Sequence, residues 1–118
     1  MFTRFVKSFA YACKGLSAVW REEVNFRIQV IIAVCVFALL GALSFPYTDI
    51  ALTVLAASLV FGAEVLNTIV EDLLNRISRD RDPVIGKIKD MAAGFVLIAS
   101  LGALAVGILI VARFFAAR

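Results

Sequence analysis

MAAGFVLIASLGALAVGILIVA, Met91 to Ala112, is 22 residues without a charged side chain. Wound as a helix at about 1.5 Å per residue, it crosses a hydrocarbon core of roughly 30 Å. Two further apolar runs stand upstream. Val30 to Phe45 is free of charge for 16 residues, with Ile28 and Gln29 extending it. Ile50 to Ala63 gives 14 more and stays apolar past Glu64 as far as Val70. Between them lies Phe45-Pro46-Tyr47-Thr48-Asp49, where Pro46 disfavours helix at Phe45 and Tyr47 suits the headgroup zone. Three membrane helices are expected, over about 28–45, 50–73 and 91–112, with a tight turn joining the first two.

Composition supports that reading. Hydrophobic residues make up 63% of the 118-residue chain and charged residues 18%, against roughly 45–50% and about 25% in soluble domains. So short a chain cannot hide that much apolar surface in water. A soluble enzyme domain, a disordered tail and a disulfide scaffold are excluded, leaving one all-α integral-membrane domain over residues 1–118. The net charge of +3 is too slight for a nucleic-acid partner. The chain has no histidine, which removes histidine catalysis and histidine metal ligation. Cys13 and Cys35, without metal-type spacing, read as reduced small apolar side chains.

Residues 2–22 form no span and no secretory h-region, because Arg4, Lys7, Lys14 and Arg21 interrupt them. Phe2, Phe5, Phe9, Cys13, Leu16 and Trp20 recur every three or four residues, with the cations on another flank. That pattern predicts an amphipathic helix lying in the membrane surface. Ten of the twelve cations precede the first span or lie between the second and third; only Arg113 and Arg118 do not. The positive-inside rule then puts the N-terminus in the cytoplasm and the C-terminus outside the cytoplasmic (inner) membrane. Gly94, Ala99, Ala103 and Gly107 line the third span with small residues that favour close helix packing and self-association.

Acidic residues inside such a chain demand a reason. Glu64, Asn67 and Glu71 fall on one face of the second span, with Asp72 adjacent. A carboxylate at the bilayer centre costs about 2.5–3.5 kcal/mol on insertion scales, so Glu64 is a functional candidate. Glu22, Glu23 and Asp90 lie near the same membrane face. Oxygen ligands without histidine or paired thiols suit Mg²⁺, held by one or two carboxylates plus substrate phosphates. Lys87 and Lys89 supply counter-charge for a polyphosphate. Neither a P-loop nor a protein-kinase motif occurs. The residues thus describe an interfacial site for magnesium, phosphate and a substrate arriving through the bilayer.

Four stretches carry a likeness: Lys7-Ser8-Phe9-Ala10-Tyr11-Ala12-Cys13-Lys14-Gly15; Glu23-Val24-Asn25-Phe26-Arg27; Glu64-Val65-Leu66-Asn67-Thr68-Ile69-Val70-Glu71; and Lys89-Asp90-Met91-Ala92-Ala93-Gly94. Together they resemble the bacterial integral-membrane family of diacylglycerol and undecaprenol kinases. The resemblance implies a homotrimer that phosphorylates a membrane lipid alcohol with ATP and Mg²⁺ at the cytoplasmic interface. It implies Glu64 as general base toward the lipid hydroxyl and Glu23 and Glu71 as magnesium ligands. Tyr11, Lys14, Asn67, Lys89 and Asp90 are then nucleotide-binding, and Arg4 and Lys7, with Glu64, meet the lipid.

Three departures stand out: Asn75 where the family usually has an aspartate, Ile69-Val70 for alanine-isoleucine, and a loop Asp80-Arg81-Asp82-Pro83 without the histidine often found there. Diacylglycerol is the expected substrate and undecaprenol the alternative. A small proton-coupled exporter is the remote alternative, disfavoured by the amphipathic start and by Glu71-Asp72.

Overall fold

The computed structural model describes residues 1–78 and 82–117. Of the residues read above, Arg79, Asp80, Arg81 and Arg118 lie outside the described residues. The described residues form four helices: α1 (Phe2–Glu22), α2 (Val24–Ala42), α3 (Tyr47–Ile77) and α4 (Pro83–Ala116). There is no strand among the described residues. The helices α2, α3 and α4 are each long and apolar enough to cross a membrane. The last two, of 31 and 34 residues, outrun the charge-free stretches that announced them, because charged residues with good helix propensity continue the helix at little cost.

Three junctions shape the fold. Between α1 and α2 stands a single residue, Glu23, in extended conformation (φ −112°, ψ 107°). The end of α2 is a Schellman motif. Ser44 takes the left-handed conformation (φ 55°), Ser44 N–H donates to Gly41 O (3.2 Å) and Phe45 N–H donates to Leu40 O (3.0 Å). Those bonds satisfy carbonyls that the helix leaves open, and Pro46 directly after prevents the helix resuming in register. At the start of α4, Asp82 Oδ1 accepts from Val84 N–H (2.8 Å) ahead of Pro83 in the first turn, a capping arrangement suited to both residues.

The main packing joins α3 to α4. Val60, Ala63 and Ala99 are buried together, with Val96 and Ala103 against them. Ala63 and Ala99 are small enough to let the two backbones close up. The glycines of the small-residue stripe are not part of this contact: a Cβ at Gly94 or Gly107 would meet nothing within 4 Å. Phe26 of α2 is buried edge-on against Phe61 of α3 (ring centroids 5.8 Å apart).

At the opposite end, Phe45 stacks on Phe114 at 4.8 Å, and Asp49, only 1% exposed, pairs with Arg113. Thr53 Oγ1 donates to the Asp49 carbonyl (2.8 Å). By sequence Asp49 belongs to a turn and Arg113 is one of the two cations outside the cytoplasmic segments. The fold makes them one ion pair between the first turn of α3 and the last of α4. Helix α1 keeps its apolar stripe open, with Phe2, Phe5 and Phe9 all exposed.

Candidate active site

Glu64 lies in the middle of α3 and is 4% exposed. It is paired with no cation among the described residues. Instead Gln29 of α2 donates Nε2–H to Glu64 Oε2 (3.3 Å). One turn on, Thr68, also buried, donates its hydroxyl to the Glu64 backbone carbonyl (3.0 Å). That bond occupies the one polar atom of Thr68 that would otherwise compete for the carboxylate.

Two further acceptors close to this face are buried and unmatched: Gln29 Oε1 and Asn67 Oδ1 have no hydrogen-bond partner among the described residues. A buried unpaired acceptor costs about 1–3 kcal/mol. From Gln29 an apolar groove of about 900 Å³ runs between α2, α3 and α4, past Val36, Leu40 and Phe61 to Phe45 and Ala112.

Toward the α1–α2 junction the acids gather. Glu23 is half-buried, as is Glu71, while Glu22 and Asp72 are exposed; Asp90, exposed on α4, is not among the charges acting on Glu23. Burial pushes the Glu23 carboxyl above its ordinary value of 4.5, and the negative charges of Glu71, Glu64, Asp72 and Glu22 push it further. Like charges within reach of one another disfavour ionisation unless a cation joins them. Among the described residues no three acids converge closely enough to cage a metal by themselves. Two carboxylates that leave the remaining positions to water and phosphate oxygens fit Mg²⁺, which demands octahedral oxygen ligation and is seldom caged by protein alone.

The raised value of Glu23 has a thermodynamic sign. The stability this group contributes is whole below about pH 4.5 and is lost as pH rises through its elevated folded pKa. Metal-free Glu23→Gln should therefore melt a few degrees above wild type at neutral pH and match it near about pH 4. Thermal unfolding in detergent without divalent ions reads this directly, and a lower neutral-pH Tm for the variant would contradict it.

The remaining sequence candidates divide. Lys89, half-buried at the start of α4, donates Nζ–H to Asn75 Oδ1 (2.7 Å). The departure at Asn75 thus acquires a partner, and the neutral amide leaves the ammonium charge uncancelled. Arg4, Lys7, Tyr11 and Lys14 are exposed on α1, and their side chains make no hydrogen bond or ion pair among the described residues. Sequence reasoning missed Gln29 and Thr68. Gln29 is the one strongly polar side chain in the apolar part of α2, and that isolation was the available signal.

Comparison with known proteins completes the picture. The family described as "Prokaryotic diacylglycerol kinase" matches residues 10–111. The diacylglycerol kinase of Escherichia coli (strain K12) is 32% identical over 98 residues, 83% of this chain and 80% of that protein. The enzyme of the same name from Haemophilus influenzae is 30% identical over 97 residues, 82% of each chain. That of Synechocystis is 35% identical over 101 residues, 85% of this chain and 58% of its own. With the match running from α1 through nearly all of α4 and including every residue from Glu23 to Asp90, the chain belongs to the prokaryotic diacylglycerol kinase family.

Proposed function

We propose that this protein is a lipid kinase that moves the γ-phosphoryl group of ATP onto the hydroxyl of a membrane lipid alcohol, with diacylglycerol as substrate and phosphatidic acid as product. The observation that carries the reading is Glu64: a buried carboxylate, unpaired with any described cation and hydrogen-bonded to Gln29, which lines an apolar groove. The names of the relatives support diacylglycerol as the alcohol.

On this reading the acyl chains occupy the groove and the hydroxyl stands at Glu64. A carboxylate oxygen of Glu64 takes the hydroxyl proton as the lipid oxygen bonds to the γ-phosphorus and the bond from that phosphorus to the ADP oxygen breaks. Base catalysis of this kind contributes about 10²–10⁴-fold. Phosphoryl transfer otherwise asks for positioning and charge neutralisation. Glu23 and Glu71 would hold Mg²⁺, which when bound neutralises the phosphate oxygens. Lys89 and Asp90 orient the nucleotide from the start of α4. Asn67, one turn from Glu64, sits at the junction of lipid and nucleotide.

Tyr11 and Lys14 as nucleotide contacts, and Arg4 and Lys7 as lipid contacts, rest on family likeness, as does assembly into a homotrimer. The bias of cations toward the N-terminal and α3–α4 segments argues for a cytoplasmic active face in the inner membrane, with the C-terminus outside. Water-borne ATP and bilayer-borne lipid meet at that boundary.

Purified protein in mixed micelles, given labelled ATP and Mg²⁺, should phosphorylate diacylglycerol at least tenfold faster than undecaprenol. The reverse order would reassign the substrate to undecaprenol. Labelling of neither lipid would reject the kinase reading for this chain.

A further inference from the structure

Arg27 lies in the first turns of α2, yet its side chain turns back to α1. Its Nη1 donates to Trp20 O (2.7 Å) and to Arg21 O (2.9 Å). These two carbonyls are open for a local reason. In an unbroken helix they would accept from the amides four residues on, at Val24 and Asn25. Glu23 leaves helical geometry, so those amides open α2 instead. The preceding carbonyl, Val19 O, keeps its bond, from Glu23 N–H (2.9 Å). One guanidinium nitrogen therefore fills two of the three acceptors that the break strands, Glu22 O being the third, and its charge lies at the negative end of the α1 dipole.

The corner is held on both sides. Val19, just before it, is 6% exposed, and Phe26, just after it, is 8% exposed against Phe61. Glu23 is the sole residue between the two helices, so the direction of its carboxylate is fixed by whatever fixes the bend. Without the clamp the two carbonyls turn to water and the bend has no single geometry. Lysine is an incomplete replacement, because its compact ammonium is more strongly hydrated than the planar guanidinium.

We infer that Arg27 is a positioning residue of the phosphoryl-transfer site. It closes the α1–α2 corner through main-chain carbonyls and thereby holds Glu23 opposite Glu71. This rests on the reading of Glu23 as a metal ligand given under the proposed function.

The test uses Mn²⁺ as a paramagnetic stand-in for Mg²⁺. It is titrated into the full-length protein in micelles with the non-hydrolysable β,γ-methylene analogue of ATP. Quenching of Trp20, the single tryptophan of the chain, gives the midpoint without any turnover. Arg27→Gln should raise that midpoint about tenfold and Arg27→Lys no more than about threefold. Glu23→Gln should raise it at least as far as Arg27→Gln, and the double variant should add nothing to Glu23→Gln alone, as expected when one residue acts through the other. A shifted Glu23→Gln beside an unshifted Arg27→Gln, or strictly additive effects, overturns the clamp while sparing the metal site. An unshifted Glu23→Gln overturns both.

Discussion

Glu64→Gln should lower kcat for lipid phosphorylation by about 10²–10⁴-fold while the protein keeps its helical content and its unfolding midpoint. The substitution is close to isosteric, and the amide can still accept the Gln29 Nε2–H that Glu64 Oε2 receives at 3.3 Å. No described cation is left stranded by loss of the charge, because none pairs with it. What disappears is the capacity to accept a proton. The KM for ATP should stay within about threefold, since in the proposed arrangement the nucleotide is held by other side chains. A Glu64→Gln enzyme with wild-type kcat would remove Glu64 from the chemistry; a variant that is both inactive and unfolded would show that the carboxylate is needed for packing.

The second large effect is at the other end of the bundle, and it is asymmetric. Asp49 is 1% exposed, whereas the Arg113 side chain is 56% exposed. Truncating Arg113 to leucine strands a carboxylate with no route to water, a change worth about 3–5 kcal/mol when one member of a buried pair is lost. Truncating Asp49 to leucine frees an arginine that can turn its head into solvent, so that loss should be about 1 kcal/mol. The double variant should recover most of the Arg113→Leu loss, because two apolar groups of fitting shape replace a desolvated pair. Unfolding midpoints of the three variants in detergent measure this. Equal losses for the two single variants would mean that Asp49 is not the desolvated partner.

The span architecture was legible because its signal is coarse: 22 charge-free residues in a 118-residue chain admit few other folds. The polar face of α3 was legible for a related reason, since a carboxylate at Glu64 contradicts its surroundings. The contacts across helices were not. Asp49 and Arg113 are 64 residues apart, and each alone resembles an ordinary charge beside a membrane. Laying the start of α3 against the end of α4 would have matched their opposite charges. Gln29 was hidden by being uncharged, and Arg27 by being one more cation in a count that fixed topology. Its hydrogen bonds depend on the extended backbone of Glu23, which no periodicity announces.

The Asp49–Arg113 pair also sets a ruler. Glu64 follows Asp49 by 15 residues and Glu71 by 22, which is about 22 Å and about 33 Å along a helix axis. A lipid matrix roughly 30 Å deep anchored at the pair ends close to Glu71 and covers Glu64 by about 8 Å. Thinning that matrix by one helical turn, about 5.4 Å, would lift Glu64 almost to the aqueous edge, and thickening it would sink Glu71. Turnover should accordingly have an optimum in acyl length of the host membrane, with the protein registering the depth of its own solvent.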